Sequence, residues 1–147
     1  WVRDYLRERG IFGTSILWFE KDDQGNPLPA ESYRELCLAT VTTHDLPPTA
    51  GYLAGEHIDL RESLGLLTRP VEEERRLAEA ARAQVLDMLV ERGLLQHGAR
   101  GTDVVAALHR LLAWTPPTLP GLAVPDLPAH PRCTDQPAPH PPSPPPP

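Results

Sequence analysis

The sequence predicts an α/β protein with parallel strands, and three observations carry that prediction. Two short runs, residues 15–19 and 37–43, are rich in apolar and β-branched side chains without polar alternation, which is typical of strands covered on both faces. Seventeen residues separate the runs, enough for the dozen or so that a parallel crossover needs. Segments with helical periodicity flank these runs, so strands and helices share one chain.

The amino-terminal elements follow from spacing and from turn residues. Residues 2–9 carry apolar side chains three and four positions apart and end at Gly10, which predicts a short helix. The polar segment 21–27, which contains Gly25 and ends in a proline, predicts a surface loop after the first strand.

Two longer helices follow the second strand. The Pro47-Pro48 pair forbids the continuation of a helix at that point. A mixed segment over 49–68 then leads to a long helix from Pro70 to about residue 92, with three glutamates in its first turn. Its apolar stripe is formed by Ala78, Ala81, Val85, Met88 and Leu89. Thr102 is predicted to cap the next helix, and residues 121–124 predict a third short strand between two prolines.

The carboxyl-terminal composition differs in kind from the rest of the chain. Of 19 prolines, 14 lie between Pro116 and Pro147. Residues 125–147 hold too few apolar side chains to form a core, so they predict a disordered tail with polyproline II character. We therefore expect a folded part over residues 1–124 and a proline-rich tail over 125–147.

Composition and spacing exclude several classes of function. The net charge of −6 and the lack of a basic stripe argue against nucleic acid, and no run approaches the ~20 apolar residues needed to span a membrane. The six histidines show no metal-ligand spacing with Cys37 or Cys133, and no glycine-rich phosphate loop follows either strand, so no metal and no cofactor is expected. Two distant cysteines and the absence of a leader predict a cytoplasmic protein. Cys37 lies in a strand and is expected to be a buried core thiol.

The first residues indicate a fragment. The chain begins at Trp1, its sole methionine is Met88, and residue 1 enters the first helix without a capping side chain. We expect the protein to continue upstream.

Acidic side chains follow both predicted strands, where the chemistry of parallel α/β folds is usually located. Glu20 follows the first strand, and His44-Asp45 follows the second. Asp45 either faces a ligand with His44 beside it or caps the next segment, and spacing alone favours the cap. Glu20 and Asp45 also allow the hypothesis of a glycosidase carboxylate pair.

Four blocks together resemble one enzyme family. They are Thr-Thr-His-Asp-Leu-Pro-Pro-Thr-Ala-Gly-Tyr at 42–52, Gly-Thr-Ser-Ile-Leu-Trp-Phe-Glu at 13–20, Leu-Arg-Glu-Ser-Leu-Gly-Leu-Leu at 60–67 and Ala-Leu-His-Arg-Leu-Leu at 107–112. Over residues 1–115 the chain resembles the C-terminal part of the 4-α-glucanotransferase family, also called amylomaltases or disproportionating enzymes.

The resemblance implies a fold and a set of roles. It implies a (β/α)₈ TIM barrel of which this chain supplies about strands six to eight with their helices. Asp45 matches the aspartate that stabilises the transition state, and His44 the histidine that binds sugar hydroxyls. The nucleophile and the acid/base are expected upstream of Trp1, which leaves Glu20 a structural residue. Trp18 is equally a core residue or a platform on which a sugar stacks.

The resemblance fails near the end of the chain. After strand eight the family has an acidic stretch and an Asn-x-Pro-Gly-Thr-like segment, of which only Asp135-Gln136-Pro137 keeps a trace here. We expect a fragment of an enzyme that transfers α-1,4-glucan segments between maltooligosaccharides by retaining double displacement, inactive as this isolated chain. The alternative is a non-catalytic remnant or interaction module with a proline-rich tail.

Overall fold

The structure, a computed structural model, describes residues 1–116 and 119–127. Within those residues the chain forms five α-helices, three strands and three single turns of 3₁₀ helix. The helices are α1 Val2–Glu8, α2 Thr49–Ala54, α3 Glu56–Ser63, α4 Val71–Glu91 and α5 Thr102–Leu112, and the strands are β1 Gly13–Ile16, β2 Cys37–Thr40 and β3 Leu119–Gly121. The 3₁₀ turns are Leu17–Phe19, Ala30–Ser32 and Val124–Asp126.

The three strands form one parallel sheet in the order β1-β2-β3. Gly13 lies opposite Cys37, and Leu38 lies opposite Leu119. The prediction of an α/β fold with parallel strands is therefore confirmed. Because the strands are parallel, their carboxyl ends meet at one edge of the sheet, and the segments that follow them are neighbours.

The first strand lies two residues earlier than predicted and is shorter. β1 spans Gly13–Ile16, and the predicted continuation through residue 19 is instead a 3₁₀ turn, closed by the Glu20 N–H donating to the Leu17 carbonyl at 3.3 Å. The turn buries the adjacent side chains of Leu17 and Trp18 together. In a strand, neighbouring side chains point to opposite faces. The 3₁₀ turn instead allows the side chains of both Leu17 and Trp18 to be buried.

The ends of the other strands also differ from the prediction. β2 ends at Thr40, where the Thr40 hydroxyl donates to the Thr42 carbonyl at 2.7 Å. The Thr42 carbonyl thus accepts a side-chain hydrogen bond within the segment that was predicted to continue the strand to residue 43. β3 lies at Leu119–Gly121 rather than 121–124. It includes Pro120, which is compatible with the outer position of this strand in the described sheet.

The long helix matches its prediction within one residue at each end, and the mixed segment before it resolves into α2 and α3. Gly55 joins those two helices with φ of +89°, a backbone conformation that favours glycine. The predicted cap of α5 is wrong. Thr102 is the first helical residue, Gly101 holds the cap position, and no side chain caps the helix.

The core lies between one face of the sheet and the helices α4 and α5. It is built from apolar side chains of both layers, among them Cys37, Ala39, Val85, Leu89, Val104, Leu108, Leu111 and Leu112. On the opposite sheet face Leu38 is 39% exposed, and Leu119 on β3 is 59% exposed. The described helices thus cover one face of the sheet and leave the other face open.

The folded part extends beyond the boundary expected after residue 124. Val124–Asp126 form a 3₁₀ turn, and Asp126 is only 4% exposed. Asp126 is polar, yet it is buried because the body of the protein supplies its hydrogen bonds. The rest of the predicted tail, residues 128–147, lies outside the described residues.

Candidate functional site

The segment between β2 and α2, residues 41–48, forms a tight loop at the carboxyl edge of the sheet; we call it the β2–α2 loop. The Thr42 hydroxyl donates to the Pro47 carbonyl at 2.8 Å and ties the two ends of the loop together. Inside this tie the Leu46 N–H donates to the Thr43 carbonyl at 3.1 Å. His44 and Asp45 lie at the tip of the turn closed in this way.

The structure brings His44 and Asp45 together. The Nε2 atom of His44 lies 3.2 Å from Oδ1 of Asp45, and both side chains are about three-quarters exposed. The pair presents a negative carboxylate beside an imidazole. Such a pair can bind hydroxyl groups and can stabilise positive charge.

His44 stands at the rim of a cavity on the open face of the sheet. The cavity has a volume of about 430 Å³, within the usual range for small-molecule sites. Its walls come from β2, from the β2–α2 loop and from the chain at the end of β3, and they include Leu38, Thr40, Thr43, Gly121 and Leu122. At Gly121 a Cβ atom would come within 3.1 Å of Leu38 Cδ1, so this wall is closely packed.

Trp18 lies in a different place from the His44–Asp45 pair. Its side chain is 7% exposed and stacks on the ring of Tyr52 with centroids 4.5 Å apart. Tyr52 in turn stacks on His57 at 4.1 Å, and burial lowers the pKa of that histidine. These rings line a second cavity, of about 230 Å³, which His44 does not reach. The position of Trp18 favours its interpretation as a core residue over that as a sugar platform.

Glu20 lines the same second cavity as Trp18, and Asp45 is not among the residues that line it. Its backbone closes the loop that follows β1, since the Leu28 N–H donates to the Glu20 carbonyl at 2.9 Å. This location fits the expected structural role of Glu20. It gives no support to the hypothesis of a Glu20–Asp45 carboxylate pair.

Asp126 is a buried acid that sequence reasoning assigned to the tail. Its carboxylate accepts hydrogen bonds from the backbone N–H of Thr49 at 2.7 Å and from the Thr49 hydroxyl at 2.6 Å, and Nε2 of His109 lies 3.1 Å away. Burial alone would raise the pKa of this carboxyl, but the bonds from His109 and Thr49 outweigh burial and lower it. The strand-end rule that pointed to Glu20 and Asp45, applied to the third strand, would have found Asp126.

Neither a metal site nor a membrane span is found in residues 1–116 and 119–127. No group of three or more His, Cys, Asp or Glu side chains in these ranges could hold a metal ion. None of the helices described there is both long enough and apolar enough to cross a membrane.

Comparison with known proteins points to one family. The sequence profile of the 4-alpha-glucanotransferases matches residues 1–140. The 4-alpha-glucanotransferases of Mycobacterium bovis and Mycobacterium tuberculosis are each 54% identical to this chain over 143 residues, covering 93% of the chain and 20% of the relative.

A solved structure agrees with the sequence comparisons. The crystal structure of amylomaltase from Corynebacterium glutamicum matches with a TM-score of 0.77 and 42% identity, over 84% of this chain and 19% of that one. The chain therefore spans about one fifth of the length of the relatives it matches. Both the profile and the relatives lead to the same conclusion: the chain belongs to the 4-alpha-glucanotransferase family.

Proposed function

We propose that the protein to which these residues belong transfers segments of α-1,4-glucan between maltooligosaccharides. The observation that carries this proposal is the His44–Asp45 pair, which lies beyond the carboxyl end of a parallel strand and whose His44 lines the cavity of about 430 Å³. The family likeness covers 93% of the chain. That extent does not favour the alternative of a non-catalytic remnant or interaction module.

We further propose that the sheet is the part of a (β/α)₈ barrel formed by strands six to eight. Three features support this. The strands are parallel, they are neighbours in chain order, and the helices of the described residues cover the face that holds Cys37 and Ala39. In a barrel the opposite face, which carries Leu38, points inward. Barrel enzymes carry their chemistry at the carboxyl ends of the strands, where the β2–α2 loop lies.

In this proposal Asp45 stabilises the transition state of glycosyl transfer. A retaining transferase passes through an oxocarbenium-like state in which positive charge develops on the sugar ring. A fixed carboxylate beside the ring gains attraction as that charge grows, so it stabilises the transition state more than the bound substrate. His44, whose Nε2 contacts Asp45, binds a sugar hydroxyl in the same place. This chemistry uses carboxylates and requires no metal or cofactor.

The nucleophile and the acid/base are proposed to come from residues outside these 147. Retaining enzymes hold those two carboxyl groups about 5–5.5 Å apart. Glu20, the acid nearest the end of β1, lines the cavity beside Trp18, and Asp45 is not among the residues that line that cavity. We also propose a cytoplasmic location, which the buried free thiol of Cys37 fits because reducing compartments keep thiols unpaired.

A graft tests the proposed function. Residues 1–127 replace the matching segment of the Mycobacterium tuberculosis relative, and the chimera is given maltotriose. We expect glucose together with longer maltooligosaccharides, because Asp45 then faces the carboxylates of the rest of the enzyme. A second chimera carrying Asp23→Asn, a change at an exposed loop acid, should behave alike. A folded chimera that forms no maltooligosaccharides longer than maltotriose would contradict the proposal. The alternative of a non-catalytic remnant would then be the better explanation.

A further inference from the structure

The carboxylate of Asp126 joins three parts of the chain that are distant in sequence. Its Oδ1 accepts the Thr49 N–H, and its Oδ2 accepts the Thr49 hydroxyl and contacts Nε2 of His109. The Asp126 side chain is fully buried, and that of His109 is 19% exposed. Every described contact of this carboxylate is thus made inside the protein. The turn after β3 is thereby fixed to the start of α2 and to α5.

The bond to Thr49 supplies a helix cap from far along the chain. Thr49 is the first residue of α2, and its N–H has no partner within the helix. The preceding residue, Pro48, offers no side-chain cap. Asp126, 77 residues away, takes the place of a local cap, and its negative charge suits the positive end of the helix. Thr49 itself has no exposed surface.

Thr49 directly follows the β2–α2 loop that carries His44 and Asp45. Pro47 and Pro48 connect it to the loop tip, and their rings fix the φ angle of both residues. The Pro47 carbonyl also accepts the Thr42 hydroxyl at 2.8 Å. Because these two residues are stiff, a displacement of Thr49 would also move Pro47 and disturb its hydrogen bond with Thr42, which closes the loop.

We propose that Asp126 is a positioning residue that holds the β2–α2 loop, and hence Asp45, in place through its two hydrogen bonds to Thr49; for catalysis this rests on the proposed function of Asp45. Asp126 bonds Thr49, which lies next to the loop rather than at its tip. Asp126 therefore acts on the reaction through Thr49. Asp126 follows β3, which is the neighbour of β2 in the sheet. The end of β3 thus contributes to the site at the end of β2.

The first test is made on the 147-residue chain and does not depend on activity. Amide exchange is followed by NMR in the parent, in Asp126→Asn and in Asp103→Asn, the last being an exposed acid on α5. We expect the amides of residues 43–46, including that of Leu46, to exchange at least about tenfold faster in Asp126→Asn alone, while those of β2 stay unchanged. Equal exchange in the two variants would overturn the proposal.

The second test uses the active graft and a pair of milder variants at Thr49. Thr49→Val removes the hydroxyl that bonds Asp126, and Thr49→Ser retains it, so this pair remains informative even if Asp126→Asn does not fold. We expect kcat per folded molecule to fall about 10- to 100-fold in Asp126→Asn, since small misplacements near reacting groups cost that much. In Thr49→Val we also expect kcat per folded molecule to fall, while KM for maltotriose stays within twofold of the parent. In Thr49→Ser, which keeps the hydroxyl, kcat should stay near that of the parent.

The outcomes separate this proposal from the proposed function. Faster loop exchange with unchanged kcat in an active graft would show that Asp126 orders the loop without serving catalysis, and would overturn the proposal. An inactive parent graft would count against the proposed function alone, and loop exchange in the 147-residue chain would still decide whether Asp126 holds the loop.

Discussion

The indole ring of Trp18 lies face to face with the phenol ring of Tyr52, with the ring centroids 4.5 Å apart and the planes 15° from parallel. Tyr52 is a residue of α2, the helix that begins just after the β2–α2 loop. The stack therefore joins the turn after β1 to the helix after β2. Because Tyr52 occupies one face of the indole and only 7% of Trp18 is exposed, little of the ring remains for a sugar.

Replacing Trp18 by alanine should destabilise the protein without impairing transfer. Removing a buried tryptophan costs about 3–5 kcal/mol, which urea unfolding of the chain measures. In the active graft we expect kcat per folded molecule to stay within threefold of the parent.

Trp114→Ala is the matched control, since that ring is 49% exposed, and it should lose far less stability. If Trp18→Ala instead raised KM for maltotriose tenfold or more in the folded graft, Trp18 would be a sugar platform after all.

The sequence-based prediction succeeded where local pattern decides structure. The apolar run of β2 and the helical period of α4 arise from neighbouring residues, so both were found, and the position of Asp45 follows from the end of a strand. The turn over residues 17–19 was missed because Leu17, Trp18 and Phe19 have the composition of a strand. Only the packing of Trp18 on Tyr52, about thirty residues away, decides between the two.

Asp126 was missed for a related reason. Its burial depends on Thr49, 77 residues earlier, and on His109 in α5. The proline-rich composition around it suggested a tail, and composition carries no information on such distant partners.

The thiol of Cys37 should be protected from chemical labelling in the folded chain. Its side chain is fully buried, and Sγ donates to the Arg34 carbonyl at 3.2 Å. A Cys133→Ser variant isolates this thiol, and its reaction with a disulfide reagent is followed by absorbance. Because opening a core strand costs several kcal/mol, we expect labelling at least about 10²-fold slower than in urea. A rate within threefold of the unfolded rate would mean that β2 is not in a stable core.

Asp126 should make the protein sensitive to acid. Its folded pKa lies below the ordinary value of 3.8, so its contribution to the free energy of unfolding is complete above that value and is lost as the pH falls through the folded pKa. At pH 7 we expect Asp126→Asn to lower the free energy of unfolding by about 1.5–3 kcal/mol, the range for hydrogen bonds to a charged group.

Urea unfolding at pH 7 and at pH 3 measures the difference between parent and Asp126→Asn at each pH. We expect this difference in the free energy of unfolding to shrink at the lower pH. The exposed acid Asp103 is the control, and Asp103→Asn should cost less than Asp126→Asn at pH 7. A difference that grows on acidification would mean that the charge of Asp126 is not what stabilises the fold.

The 147-residue chain by itself should not transfer glucose units. The proposed nucleophile and acid/base lie outside its residues, and Asp45 alone starts no reaction. Purified chain incubated with maltotriose should leave the sugar unchanged by chromatography. Formation of longer oligosaccharides would refute this expectation and revive Glu20 and Asp45 as a working pair.

The central claim is that Asp45 stabilises the transition state, and Asp45→Asn in the graft tests it most directly. The change keeps the size of the side chain and removes its charge. We expect kcat per folded molecule to fall about 10²–10⁴-fold, or roughly 3–5 kcal/mol, as for comparable electrostatic groups. His44→Asn should lower kcat less, by an amount that corresponds to about 1–3 kcal/mol of transition-state stabilisation. The melting temperature should change little, since the Asp45 side chain is 78% exposed. An Asp45→Asn graft within threefold of the parent kcat but with a lowered melting temperature would contradict the claim and make Asp45 a structural cap.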